Sequence, residues 1–62
     1  MVNKIQEFRE EKGYTQKQLA ELLKISENYL NKIERGKRTP SLKLAVRIAK
    51  LLDCTLNDLF FY

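Results

Sequence analysis

Only three residues, Lys24, Ile25 and Ser26, separate two stretches whose apolar spacing is helical. Leu19, Leu22 and Leu23, with Ala20 beside them, precede the gap, and Leu30 and Ile33 follow it. Spacings of three and four residues gather apolar side chains on one face of a helix. Two short helices joined by so tight a turn cross steeply rather than run alongside each other. Ala20 suits such a crossing, because a larger side chain there would hold the helices apart. Leu19, Leu23, Ile25, Leu30 and Ile33 are then expected to form a shared core.

The remaining apolar pattern is also helical. Val2, Ile5 and Phe8 recur at every third position. Leu44, Ala45, Ile48, Leu51 and Leu52 form a longer set, and Leu56, Leu59 and Phe60 a short last one. No stretch alternates with period two for long enough to suggest a strand.

The punctuation sets the helix ends. Gly13 stands where a left-handed residue would close the first helix. Thr15 and Gln18 form a capping box, with Tyr14 and Leu19 as the hydrophobic staple across it. Ser26 caps the third helix between Ile25 and Leu30, and Thr55 caps the fifth between Cys54 and Leu59. Gly36 ends the third helix, and Pro40-Ser41 opens the fourth, since proline disfavours helix in the residue before it. The spacing predicts five helices, at roughly 3–12, 15–23, 27–35, 41–52 and 56–60. The expected fold is all-α, a compact five-helix single domain over residues 1–62.

Composition narrows the function. The net charge is +4, which favours a polyanionic partner. Residues 1–12 are neutral overall, whereas residues 26–38 carry +2, residues 39–52 carry +3 and the tail from Asp53 carries −2. The excess therefore lies in the second half of the chain. Histidine is absent and there is one cysteine, Cys54, so neither an imidazole base nor a zinc site is expected. The only glycines, Gly13 and Gly36, make no phosphate-binding loop. The reading is of a protein that is not an enzyme and has no cofactor, metal or evident small-molecule ligand. No apolar run approaches the roughly 20 residues of a membrane span. An unpaired cysteine and the lack of an export signal suit a cytoplasmic location.

The third helix carries the functional signal. At about 100° per residue, Leu30 and Ile33 point one way, and Asn28, Asn31, Lys32 and Arg35 point the other. Tyr29 and Glu34 lie on the flanks, and Glu27 stands at the N-terminal edge. Asn pairs with adenine, Lys with guanine, and Glu accepts from cytosine in the major groove of DNA. Glu27, Asn28, Asn31 and Lys32 are therefore the expected base contacts. A solvated polar face is the plainer alternative, and for Glu27 it is attraction to the positive end of its own helix. The loop Arg35-Gly36-Lys37-Arg38-Thr39 follows at once and suits the DNA backbone. Lys17 and Lys43 join it as expected phosphate contacts, with Arg47 and Lys50 expected to be solvated.

These residues resemble a known family. The blocks Thr15-Gln16…Leu19-Ala20, Ile25-Ser26 and Ile33-Glu34-Arg35-Gly36…Pro40-Ser41 are similar to those of the phage-repressor helix-turn-helix family, the Cro/CI-like or XRE group. The resemblance runs from Ile5 to Phe60 and implies a lambda-repressor-like DNA-binding domain. It implies that Gln16 touches a phosphate or supports a base contact. It implies that Tyr29, Lys37, Arg38 and Thr39 touch the backbone, and that Arg9 and Glu34 form a buried structural ion pair. One position departs from the family pattern. Lys24 stands where glycine is usual, and a left-handed residue there carries strain of about 1–2 kcal/mol.

The function this implies is sequence-specific recognition of double-stranded DNA by a transcriptional regulator, acting as a repressor. A single recognition helix reads few base pairs, so a homodimer on a palindromic operator is expected. Phe61 is the expected dimer contact, with Phe60 in the core. The rival reading is an antitoxin-type interaction module that also binds its own operator. It would need an extra segment to cover its toxin, which these residues do not show. A nonspecific nucleic-acid binder would show little dependence on sequence.

Overall fold

The computed structural model describes residues 3–60. They form five helices, α1 (Ile5–Glu11), α2 (Gln16–Leu23), α3 (Glu27–Glu34), α4 (Leu42–Leu51) and α5 (Leu56–Phe60), and no strand. The expected helices are all present. Most are shorter at their ends than the apolar pattern indicated, because the boundary residues are spent on caps. Asn3 and Lys4 precede α1, and Thr15, Ser26 and Ser41 stand just outside the helices they cap.

Each cap supplies an oxygen to N–H groups that lack a partner in the first turn. Thr15 Oγ1 accepts the Gln18 N–H at 3.0 Å, and Gln18 Oε1 accepts the Thr15 N–H at 2.9 Å. Thr55 and Asp58 repeat this reciprocal box at the start of α5, with bonds of 3.1 and 2.9 Å. Ser26 and Ser41 each accept one N–H, from Tyr29 and Leu44.

The helix ends share one device. Gly13, Lys24, Gly36 and Asp53 have positive φ, at 80°, 60°, 77° and 60°. In each case the left-handed residue and its successor return N–H bonds to the last turn, as Lys24 does to Glu21 and Ile25 to Ala20. This is the Schellman closure. Glycine adopts it freely, whereas Lys24 and Asp53 do so against the steric preference of a side chain. Asp53 was not anticipated; the apolar pattern around it carries no sign of a left-handed residue.

The core gathers side chains from every helix. Ile5, Leu19, Leu23, Leu30, Ile33, Ile48 and Leu59 are fully buried. Ala20 is buried, and α2 packs against α3. Tyr14, Ile25 and Cys54 pack against this core from its margin. Cys54 is half-buried and unpaired, and burial together with Asp58 and Asp53 pushes its thiol pKa up. Phe60 is buried, as expected, while Val2 and Phe61 lie outside the described residues. Arg47 and Lys50 are exposed, as expected, and Arg47 makes one further contact. Its Nη2 donates to the Leu22 carbonyl at 3.4 Å and so meets the end of α2.

Candidate nucleic-acid interface

The α2–α3 crossing fixes which side of α3 faces outward. Leu30 and Ile33 have no exposed surface. Glu27, Asn28 and Lys32 are exposed on the other side, and Asn31 and Tyr29 are half-buried. Tyr29 lies against the core, so its ring is braced from behind. Glu27 stands in the first turn, where a negative charge meets the positive end of the helix.

The basic loop is tied back to the same helix. The Lys32 carbonyl accepts the N–H of Lys37 at 2.9 Å and of Arg38 at 3.3 Å. Pro40 is buried and anchors the far side of the loop. Between these points the side chains of Arg35, Lys37, Arg38 and Thr39 are all exposed. Four of the five positions 35–39 are thus exposed and present three cations to solvent, with Gly36 half-buried among them. Lys17 in α2 and Lys43 in α4 are exposed as well.

Beneath this face lies a polar knot. The Arg9 guanidinium donates through Nε to Glu34 Oε2 at 2.7 Å and through Nη2 to Oε1 at 3.3 Å. Its Nη1 donates to the Tyr14 carbonyl at 2.8 Å. Gln16, half-buried, donates from Nε2 to Glu34 Oε1 at 3.1 Å. The Glu34 side chain is only 2% exposed and the Arg9 side chain 9%. No buried side-chain polar atom among the described residues lacks a partner. Gln16 therefore spends a side-chain N–H inside the protein.

Sequence reasoning missed Asn3. It was placed inside α1, but its side chain bonds both the Ile5 N–H and the Ile33 carbonyl. An asparagine just ahead of the first apolar helical residue is a capping signal that was available; its link to α3 was not. No group of three or more His, Cys, Asp or Glu able to hold a metal occurs among the described residues. None of the helices described is long and apolar enough to cross a membrane.

The short packed pair joined by a three-residue turn, with one member buried on one side and polar on the other, defines a helix-turn-helix DNA-binding domain. A family model described as helix-turn-helix matches residues 5–59. The chain belongs to this helix-turn-helix family, the Cro/CI-like (XRE) group of transcriptional regulators. An uncharacterised HTH-type transcriptional regulator of Methanocaldococcus jannaschii is 42% identical over 62 residues, spanning all of this chain and 94% of that protein. The HTH-type transcriptional regulator SinR of Bacillus subtilis is 35% identical over 57 residues, covering 90% of this chain and 51% of SinR. The chain thus spans about half the length of SinR. A crystal structure of SinR, the master regulator for biofilm formation, in complex with DNA superposes with a TM-score of 0.76 at 35% identity, covering 86% of each chain. The family and these relatives are transcriptional regulators, not enzymes.

Proposed function

We propose that this regulator reads a specific operator by placing α3 in the major groove, and that it represses by occupying promoter DNA. The observation that carries the reading is the division of α3. Leu30 and Ile33 are sealed inside while Glu27, Asn28 and Lys32 stand free beside an exposed basic loop. Asn28, Asn31 and Lys32 supply hydrogen-bonding groups for base edges, and Glu27 an acceptor for cytosine. Gln16, Lys17, Tyr29, Arg35, Lys37, Arg38, Thr39 and Lys43 surround them as backbone contacts, which set register without reading sequence. The solved DNA complex of SinR supports this use of the fold.

The operating unit is a homodimer on a palindromic site, with half-sites about 34 Å apart or a multiple of that. Phe61, the expected dimer contact, lies outside the described residues. Sedimentation of Phe61→Ala tests it, and unchanged association at every concentration removes that role.

Selection from random duplex DNA at physiological salt tests the whole reading. The expected result is one site with two-fold symmetry, bound at least about a thousandfold more tightly than random duplex. Recovery of no preferred sequence would sink it.

A further inference from the structure

We propose that Asn3 is a positioning residue for DNA reading, holding the C-terminal turn of α3 in place through its side-chain amide. This rests on the assignment of α3 as the groove-facing helix. Asn3 lies ahead of α1, and both ends of its carboxamide are engaged. Oδ1 accepts the Ile5 N–H at 3.1 Å. Nδ2 donates to the Ile33 carbonyl at 2.9 Å, across a separation of 30 residues. One partner is a donor and the other an acceptor, so a single orientation of the amide satisfies both. The next residue extends the link, since the Lys4 N–H donates to the Leu59 carbonyl at 2.8 Å. The segment before α1 therefore ties the end of α3 to α5.

The Ile33 carbonyl sits where a helix runs out of its own donors. It also accepts the Gly36 N–H at 3.0 Å, at the start of the basic loop. Its neighbours on either side are Lys32, whose carbonyl holds the loop, and Glu34, whose carboxylate is held by Arg9 and Gln16. Asn3 thus grips the last turn of α3, which carries Lys32 of the base-reading face and leads into the basic loop. Reading a base edge requires a side chain held to about 0.5 Å by the groups behind it. The loop's phosphate contacts act through long flexible cations and tolerate more drift. Asn3 should accordingly govern preference among sequences more than overall affinity.

Asn3→Asp separates the two bonds. The aspartate keeps the shape and the acceptor for Ile5, but loses the donor and turns a carboxylate toward the Ile33 carbonyl. The test compares wild type, Asn3→Asp and Asn3→Ala on the selected duplex and on random duplex of equal length and salt. Amide exchange of Gly36 and Lys37 is followed without DNA. For Asn3→Asp we expect faster exchange at both amides and about a tenfold loss on the selected duplex, with less than about a twofold loss on random duplex. Asn3→Ser, which keeps a short acceptor, carries the same comparison where Asn3→Asp lowers the folded fraction. An unchanged preference with unchanged exchange overturns the proposal, and so does an equal loss on both duplexes. Lys32→Ala is the control. If it abolishes preference and Asn3→Asp does not, only the role of Asn3 falls. If neither changes preference, the assignment of α3 falls with it.

Discussion

Arg9 and Glu34 face each other as a two-pronged pair, with Nε 2.7 Å from Oε2 and Nη2 3.3 Å from Oε1. The pair joins α1 to the last residue of α3. Through Tyr14 and Gln16 it also reaches the entry to α2. Three helices are therefore referenced to one nearly dry carboxylate. Burying both charges carries a desolvation cost that the fork and its extra hydrogen bonds offset.

Removing one member leaves the other charge buried without its main partner, Arg9 keeping only the exposed Glu10 at 3.9 Å and the Tyr14 carbonyl, and Glu34 only Gln16. Arg9→Met or Glu34→Leu should each cost about 3–5 kcal/mol, against a total stability of about 5–15 kcal/mol for an ordinary domain. Urea unfolding followed by circular dichroism measures this. The double substitution should be less destabilised than either single one. A double variant that loses the sum of the two single losses would deny the pair its structural role.

The left-handed closures predict opposite signs at neighbouring turns. Lys24→Gly should raise the melting temperature, since strain of about 1–2 kcal/mol is relieved while glycine's extra unfolded-state freedom takes back about 0.4–1 kcal/mol. Asp53→Gly should act alike, less its ion pair with Lys12 at 3.3 Å, an exposed contact of little weight. Gly13→Ala should destabilise, strain of about 1–2 kcal/mol being partly offset by about 0.4–1 kcal/mol from the less free unfolded chain. An added Cβ there would meet nothing within 4 Å, so that strain is purely torsional. A lowered melting temperature for Lys24→Gly would argue against the strained turn.

The cap of α5 predicts an acid-side effect. Hydrogen bonds from the Thr55 backbone N–H and the Thr55 hydroxyl hold the Asp58 pKa below its ordinary 3.8. A depressed folded pKa means stability that is present above the unfolded value and lost as pH falls through the folded one. Melting temperatures from pH 6 to pH 2 should therefore show wild type above Asp58→Asn at pH 6, with the gap closing below about pH 4. A gap that stays constant with pH would refute the carboxylate's part in the cap.

Two classes of cation should separate in binding assays. Lys32→Ala should change which bases are preferred at one position of the site, at a cost of about 1–3 kcal/mol. Lys37→Ala and Arg38→Ala should weaken all duplexes alike, and each should lower the slope of log affinity against log salt by about 0.9. A Lys32 variant that behaves like the loop variants would move Lys32 from the groove to the backbone.

The legible parts of the molecule were those fixed by neighbours in sequence. Thr15 with Gln18, Ser26 before Tyr29, and Gly36 after Glu34 each satisfy backbone groups within a few residues, so their spacing alone reveals the helix ends. The three-residue turn at Lys24–Ser26 and the small Ala20 marked the crossing of α2 and α3. The opposed faces of α3 followed from helical periodicity. Asp53 was missed because neither glycine nor proline marks the corner between α4 and α5, although aspartate is one of the few other residue types that visit the left-handed region. Asn31 reads as an outward position on the wheel yet is half-buried, which periodicity within one helix does not resolve.

Sequence by itself determined five helices, their caps and the polar face of α3, because these depend on contacts over one or two turns. Only the tertiary structure decided how α3 is held. Asn3 reaches Ile33 over 30 residues; Arg9 reaches Glu34 over 25, a pair that the family resemblance implied but that no spacing did. Hydrogen bonds at such range arise only once hydrophobic burial has brought the helices together, and no spacing along the chain encodes which donor will then meet which acceptor.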